Sequence, residues 1–157
     1  MAEVTGILLA AGSAVRFGSN KLLHGLPDGT PVAVAAACSL VQAVPLSIAV
    51  VRPGDAELAR RLSAIGLRIV ENPLAAGGMG TSLAAGVSAT AEAAGWIIGL
   101  ADMPWILPGT IATLAGRLRA HTVYAITGIP YFFLAFLLWI PLPLTLADST
   151  RFALLVV

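Results

Sequence analysis

Charge is what this chain has least of. Acidic and basic side chains make up 11% of its 157 residues, against about 25% in ordinary soluble domains, and their signs nearly cancel to a formal +1. That balance excludes a nucleic acid or another polyanion as an expected partner, since those call for a basic patch or stripe. Cysteine is nearly missing too. Cys38 is the single one, which excludes an intramolecular disulfide and a cysteine-based metal cluster; a small buried core thiol in a reducing cytoplasm is the expectation. The two histidines, His24 and His121, stand far apart in predicted loops, with no triad or metal-binding context. No basic n-region followed by a long apolar h-region opens the chain, because Glu3 and Gly6 interrupt it, so export by a secretory leader is not expected. The length suits one domain with a sizeable core and not comfortably two.

Two familiar phosphate loops are also missing. A P-loop needs G-x-x-x-x-G-K-[ST], but Gly12 and Gly18 are one residue too far apart, and Ser19 and Asn20 separate Gly18 from Lys21. A dinucleotide fingerprint needs G-x-G-x-x-G, and an arginine stands here where tight helix packing would be wanted. What is present is the stretch Gly6 to Lys21, GILLAAGSAVRFGSNK. Val4 to Leu9 has the β-branched and leucine-rich character of a buried strand. It empties into a loop carrying Gly12, Ser13, Arg16, Gly18 and Lys21. Glycines let backbone N–H groups approach a ligand, and the guanidinium and ammonium add positive charge, a pairing suited to phosphate oxygens. The stretch reads as a triphosphate cradle.

Downstream, the chain alternates strand and helix with short connectors. A helix over about Pro31 to Ala43 has Thr30 as its expected cap, a strand spans Leu46 to Arg52, and Pro53-Gly54-Asp55 turns into a helix capped by Asp55 and running to Ile65. A third strand covers Leu67 to Glu71. A glycine-dense loop from Asn72 then leads into a helix over about Ser82 to Ala93. Trp96 to Leu100 is a fourth strand, followed by Asp102; Pro108 to Ala120 is a helix, and Thr122 to Ile126 fits a fifth strand. The pattern predicts an α/β fold, Rossmann-like, with a mostly parallel sheet in three α/β/α layers and an atypical C-terminal part. Ligands of such sheets sit beyond the carboxyl ends of the strands, which puts Asp102 on the same crevice as the cradle and makes it the candidate metal ligand.

Leu9-Ala10-Ala11-Gly12, Arg16, Gly18 and Lys21, with VVRPGD at Val50 to Asp55, the Asn72 to Gly86 loop, and LADMP at Leu100 to Pro104, resemble the MobA-like nucleotidyltransferases. The likeness is greatest to the molybdenum cofactor cytidylyltransferases. It covers residues 1 to 126, taken as the nucleotide-binding domain. The resemblance implies a Mg²⁺-dependent cytoplasmic enzyme that transfers CMP from CTP, or uses another NTP, onto molybdopterin cofactor with release of pyrophosphate, and passes the product to a molybdoenzyme. Two alanines before the glycine, as at Ala10-Ala11-Gly12, go with CTP in that family, where a double glycine goes with GTP. Carried over residue by residue, the likeness makes Arg16, Lys21 and Asp102 catalytic, with Asp102 also holding the metal. Leu9, Ala10, Ala11, Gly12, Ser13 and Gly18 contact the nucleotide, and Gly77, Gly78, Met79 and Ser82 hold its base and ribose.

Residues 127 to 157 depart from the family pattern. The expected G-R-x-G-H-P-like and G-D-x-G-A-R-like segments are missing, and no charged residue occurs between Arg119 and Asp148. Three readings stand for this apolar tail: a membrane span, which Pro130, Pro141 and Pro143 oppose; a buried part of a modified core; or a shifted reading frame. The sharp replacement of functional motifs favours the third. The missing motifs also leave an alternative function, a catalytically impaired nucleotide-binding remnant without the pterin half-site.

Overall fold

The computed structural model describes residues 3–12, 20–120 and 152–153. Its strands are β1 (Val4–Leu9), β2 (Ser47–Val51), β3 (Arg68–Glu71), β4 (Gly95–Leu100) and β5 (Phe152–Ala153). Its helices are α1 (Val32–Ala43), α2 (Ala56–Ala64), α3 (Met79–Ala89) and α4 (Pro108–Ala120). All the strand pairs are parallel, in the order β3-β2-β1-β4-β5. β1 is the central strand: Leu9 lies beside Val50 of β2 on one side and Leu100 of β4 on the other. Every residue of β1 and β2 is buried, as strands covered on both faces require, and this explains their continuous apolar runs.

Alternate residues of β1 serve different cores. Val4 and Leu8 pack with the apolar sides of α1, α2 and α4, whose buried residues include Leu40, Leu58, Leu62 and Ile111. Ile7 and Leu9 pack on the other face with Ile48, Val50 and Ile98, under Leu83 and Val87 of α3. The three-layer α/β/α arrangement expected from the alternation is therefore present. The chain steps outward from β1 through β2 to β3, then crosses by α3 to the far side of β1. The carboxyl ends of β1 and β4 thus form a topological switch point, where open parallel sheets bind ligands.

Several expectations need correction. α1 starts at Val32, with Pro31 in the cap position and no side-chain cap bond; Thr30 instead gives its backbone N–H to Asp28. Asp55 occupies the cap position of α2 without capping through its side chain, which lies toward Arg52. α3 begins at Met79 and ends at Ala89, earlier at both ends than the apolar pattern suggested. Cys38 is exposed, not buried. The buried stripe of α1 is Ala33, Ala36, Ala37 and Leu40, and a residue next to Ala37 points about 100° away from that stripe. The Thr122 to Ile126 strand and the tail from 127, apart from β5, lie outside the described residues. Among those described, no helix is long and apolar enough to cross a membrane.

On the surface of α2, Glu57 holds Arg60 at 2.7 Å and Arg61 at 2.6 Å. Arg60 first, then Arg61, keep its carboxyl below the usual range. Any stabilisation from this cluster is present above the ordinary carboxylate pKa and is lost as pH falls through the lower folded value.

Close packing of α3 depends on Gly86. A Cβ there would sit 2.7 Å from Ile7 Cγ2 and 3.2 Å from Val50 Cγ2, both in the core. Alanine would gain about 1 kcal/mol in helix propensity, but overpacking against stiff β-branched neighbours costs about 1–3 kcal/mol. We expect Gly86→Ala to lower stability by about 1 kcal/mol net, the difference of those two terms. A rise in melting temperature on thermal unfolding would refute the close contact.

Candidate functional site

A cavity of about 660 Å³ opens at the switch point. Its volume lies within the range of about 300–1,000 Å³ that small-molecule sites occupy. The end of β1 and the residues after it supply Leu9, Ala11 and Gly12; Lys21 and Leu22 come from a single 3-10 turn, Lys21–Leu23. The opposite edge is Gly78, Met79 and Ser82, and Asp102 closes the side beyond β4. Residues far apart in sequence are thus gathered around one cavity. Ala10 and Gly77 are not part of the lining: Ala10 packs into the core beneath, donating its N–H to Val50 O at 2.8 Å, and Gly77 closes the 3-10 turn Ala75–Gly77. Ser13, Arg16 and Gly18 lie outside the described residues.

Lys21 and Asp102 meet across the cleft, Lys21 Nζ donating to Asp102 Oδ2 at 2.9 Å. The 3-10 turn that carries Lys21 is started by Asn20, whose side-chain oxygen accepts from Leu22 N at 3.1 Å. Asp102 follows β4 after Ala101, whose N donates to Leu9 O at 3.1 Å, so the pairing of β1 with β4 fixes the point from which Asp102 leaves the sheet. Both side chains remain 41–47% exposed, and an ion pair so placed contributes only about 0–1 kcal/mol. It is a weak closure between two charges that both face a ligand cavity.

The glycine-rich edge is built on a buried polar anchor. Asn72 is 2% exposed. Its Nδ2 donates to Thr81 Oγ1 and to Ser82 Oγ, each at 3.0 Å, while its Oδ1 accepts from Leu74 N at 2.9 Å. Both donors of the amide tie the loop to the first turn of α3, and its oxygen holds the loop's own backbone. Gly78 makes the entry to that helix at φ +100° and ψ −179°, a region open in practice only to glycine. The amino-terminal end of α3, with the positive end of its dipole, therefore lies at the cleft.

Sequence reasoning missed Arg52, which also lines the cavity. It follows β2 directly, and the turn Arg52-Pro53-Gly54-Asp55 closes with Asp55 N donating to Arg52 O at 3.3 Å and Gly54 at φ +88°, as a type II turn demands. Arg52 Nη2 donates to Gly12 O at 3.1 Å, and its Nε lies 3.8 Å from Asp55 Oδ2. The arginine thus grips the point where the cradle leaves β1. VVRPGD belongs to the family resemblance, but neither that resemblance nor the strand-and-turn pattern gives Arg52 a role. Ala75 and Ala76 also line the edge and carry no chemical signature that a sequence could reveal.

The donor set suits a divalent cation bound with a substrate. Among the described residues no three His, Cys, Asp or Glu side chains cluster to hold a metal, but Mg²⁺ takes only one or two carboxylates beside water and substrate phosphates. Asp102, solvent-accessible at a strand end, meets that requirement.

Comparison with solved structures returns the same architecture. Rv0371c from Mycobacterium tuberculosis H37Rv superposes with a TM-score of 0.64 at 24% identity, covering 80% of this chain and 65% of that one. A structure of that protein in complex with manganese gives 0.60 at 21% identity, covering 80% and 64%. A nucleotidyl transferase from Methanothermobacter thermautotroptrophicus gives 0.62 at 26% identity, covering 73% and 57%. The chain therefore spans less than two thirds of the length of these relatives. No curated protein matches it. The model of the MobA-like NTP transferase domain, however, matches residues 6–134, most of the chain, and the protein belongs to that family.

Proposed function

We propose that the protein transfers CMP from CTP to the terminal phosphate of molybdopterin cofactor, releasing pyrophosphate. The observation that carries the nucleotidyl-transfer part is the Lys21–Asp102 pair at the mouth of the switch-point cavity, a cation and a carboxylate facing one glycine-edged cleft. The choice of CTP and of molybdopterin is supported by the likeness of Ala10-Ala11-Gly12 and the LADMP segment to the cytidylyltransferase branch.

An oxygen of the acceptor phosphate attacks the α-phosphorus of CTP. That P–O bond forms as the bond to the β-phosphate oxygen breaks, and the electron pair leaves with pyrophosphate. No side-chain nucleophile is required, so the protein's task is to position groups and balance charge. Lys21 neutralises the departing pyrophosphate, assisted by Arg16, while Gly12, Ser13 and Gly18 offer backbone donors to the phosphates. Gly78, Met79 and Ser82, with Gly77 behind them, border the base and ribose. Asp102 would hold the divalent cation, Mg²⁺ or the manganese seen with Rv0371c. When bound, that ion supplies positive charge to the triphosphate. Because the resting ion pair is weak, little stability is lost when Lys21 turns to phosphate and Asp102 to the cation.

The test is pyrophosphate release from CTP, with GTP in parallel, in the presence of Mg²⁺ and molybdopterin. Release dependent on both CTP and the acceptor is expected. Binding of CTP without release would instead identify the nucleotide-binding remnant, the reading that the missing C-terminal motifs favour.

A further inference from the structure

Beyond Asp102 lies a second cavity, of about 700 Å³, whose wall includes Met103, Trp105, Leu107 and Thr110. It shares two residues with the nucleotide cleft, and they are Lys21 and Asp102. Trp105 is 73% exposed and Leu107 69%, although indole rings normally bury most of their area. The other described tryptophan, Trp96, obeys that rule at 5%.

We propose that Trp105 is an acceptor-positioning shelf: a planar heteroaromatic ring stacks on its indole face while the phosphate attached to that ring reaches into the mouth of the nucleotide cleft, where the two cavities join. This deepens the nucleotidyl-transfer reading and rests on it. An in-line displacement needs the incoming phosphate oxygen opposite the leaving pyrophosphate. With the triphosphate in the first cleft, the cavity that joins it at the Lys21–Asp102 pair is the available approach. The wall offers the ring an exposed π face at Trp105, and the cavity opens onto the nucleotide cleft, where the attached phosphate has to arrive. Trp105 follows Pro104 in the segment between β4 and α4, so the shelf is carried by the same stretch that presents Asp102.

Calorimetry on the full chain tests this with a phosphorylated pterin as probe, glycerol phosphate as the non-aromatic control, and CTP with Mn²⁺ as a separate arm. Trp105→Ala should weaken the phosphopterin roughly tenfold, the scale of one lost stacking contact. Trp105→Phe should retain most of the affinity, and CTP binding should be the same in all three proteins. In turnover, the acceptor KM should rise in Trp105→Ala with kcat little changed. Equal phosphopterin affinity in wild type and Trp105→Ala would overturn the shelf, as would no preference for phosphopterin over glycerol phosphate. So would self-association that Trp105→Ala abolishes, which would make the patch a contact between copies. Failure of the wild type to bind CTP would count against the nucleotide reading alone, because the phosphopterin arm is read independently of it.

Discussion

Asp102→Asn is expected to cut pyrophosphate release by roughly 10²–10³-fold, the scale seen when one charge-stabilising group is removed from a transfer site. Asparagine keeps the size of the side chain and can still accept from Lys21, but it loses the charge that a divalent cation needs. The fold should hardly notice. The Lys21–Asp102 pair is about half exposed, so its loss costs at most about 1 kcal/mol, or roughly 2–4 °C in melting temperature for a domain of this size. Lys21→Ala is the companion variant, with a comparable loss of turnover and an unchanged fold. The two separate in binding: Asp102→Asn should weaken Mn²⁺ association in the presence of nucleotide, whereas Lys21→Ala should weaken the triphosphate and leave cation binding to Asp102 intact. Asp102→Asn retaining half of the wild-type rate would remove the carboxylate from the mechanism.

Asn72→Ala should have the largest effect on stability, about 1–3 kcal/mol, since it strips Thr81 and the buried Ser82 of a donor and takes the acceptor from the part-buried Leu74 N–H. Of the side chain's hydrogen bonds, the one to Ser82 reaches the cavity lining, and nucleotide affinity should fall roughly tenfold, about 1.4 kcal/mol. The loop from Asn72 to Gly78 would lose its tie to α3, and binding would then have to order it. Urea unfolding and nucleotide titration check the two halves. An unchanged unfolding midpoint would mean that the anchor adds nothing, and a lowered midpoint with unchanged affinity would mean that the loop is not part of the nucleotide site.

β1 and β2 were legible in the sequence because they are covered on both faces, which forces uninterrupted apolar runs of strand length, whereas β5 at Phe152–Ala153 was not foreseen. The strand order was not legible, since nothing local tells β4 to pair with β1 rather than with β3. Asp102 could be placed on the right crevice by topology alone, but its pairing with Lys21 depends on two loop geometries that no spacing rule encodes. α3 was misjudged at its start because apolar periodicity says nothing about a glycine cap, and Gly78 begins the helix at Met79. Cys38 was misplaced because α1 is alanine-rich on several faces, so composition could not tell its buried stripe from its exposed side. Arg52 and Asn72 escaped as working residues for the same reason: each acts through a backbone carbonyl or a hydroxyl brought near only by the fold.

The pairing of β1 with β4 has a further consequence, for the order of events as the chain folds. β1 can meet β2 after one helix, whereas Leu9 must find Leu100 across the whole intervening chain. Such non-local contacts raise contact order and slow the search, because loop closure must come before the contact stabilises anything. A chain emerging from the ribosome only as far as β3 has the glycine-rich cradle and Arg52, but neither Asp102 nor the wall opposite Lys21. If the cleft binds nucleotide with a divalent cation as proposed, that affinity switches on late, and in a refolding experiment it would time the docking of β4.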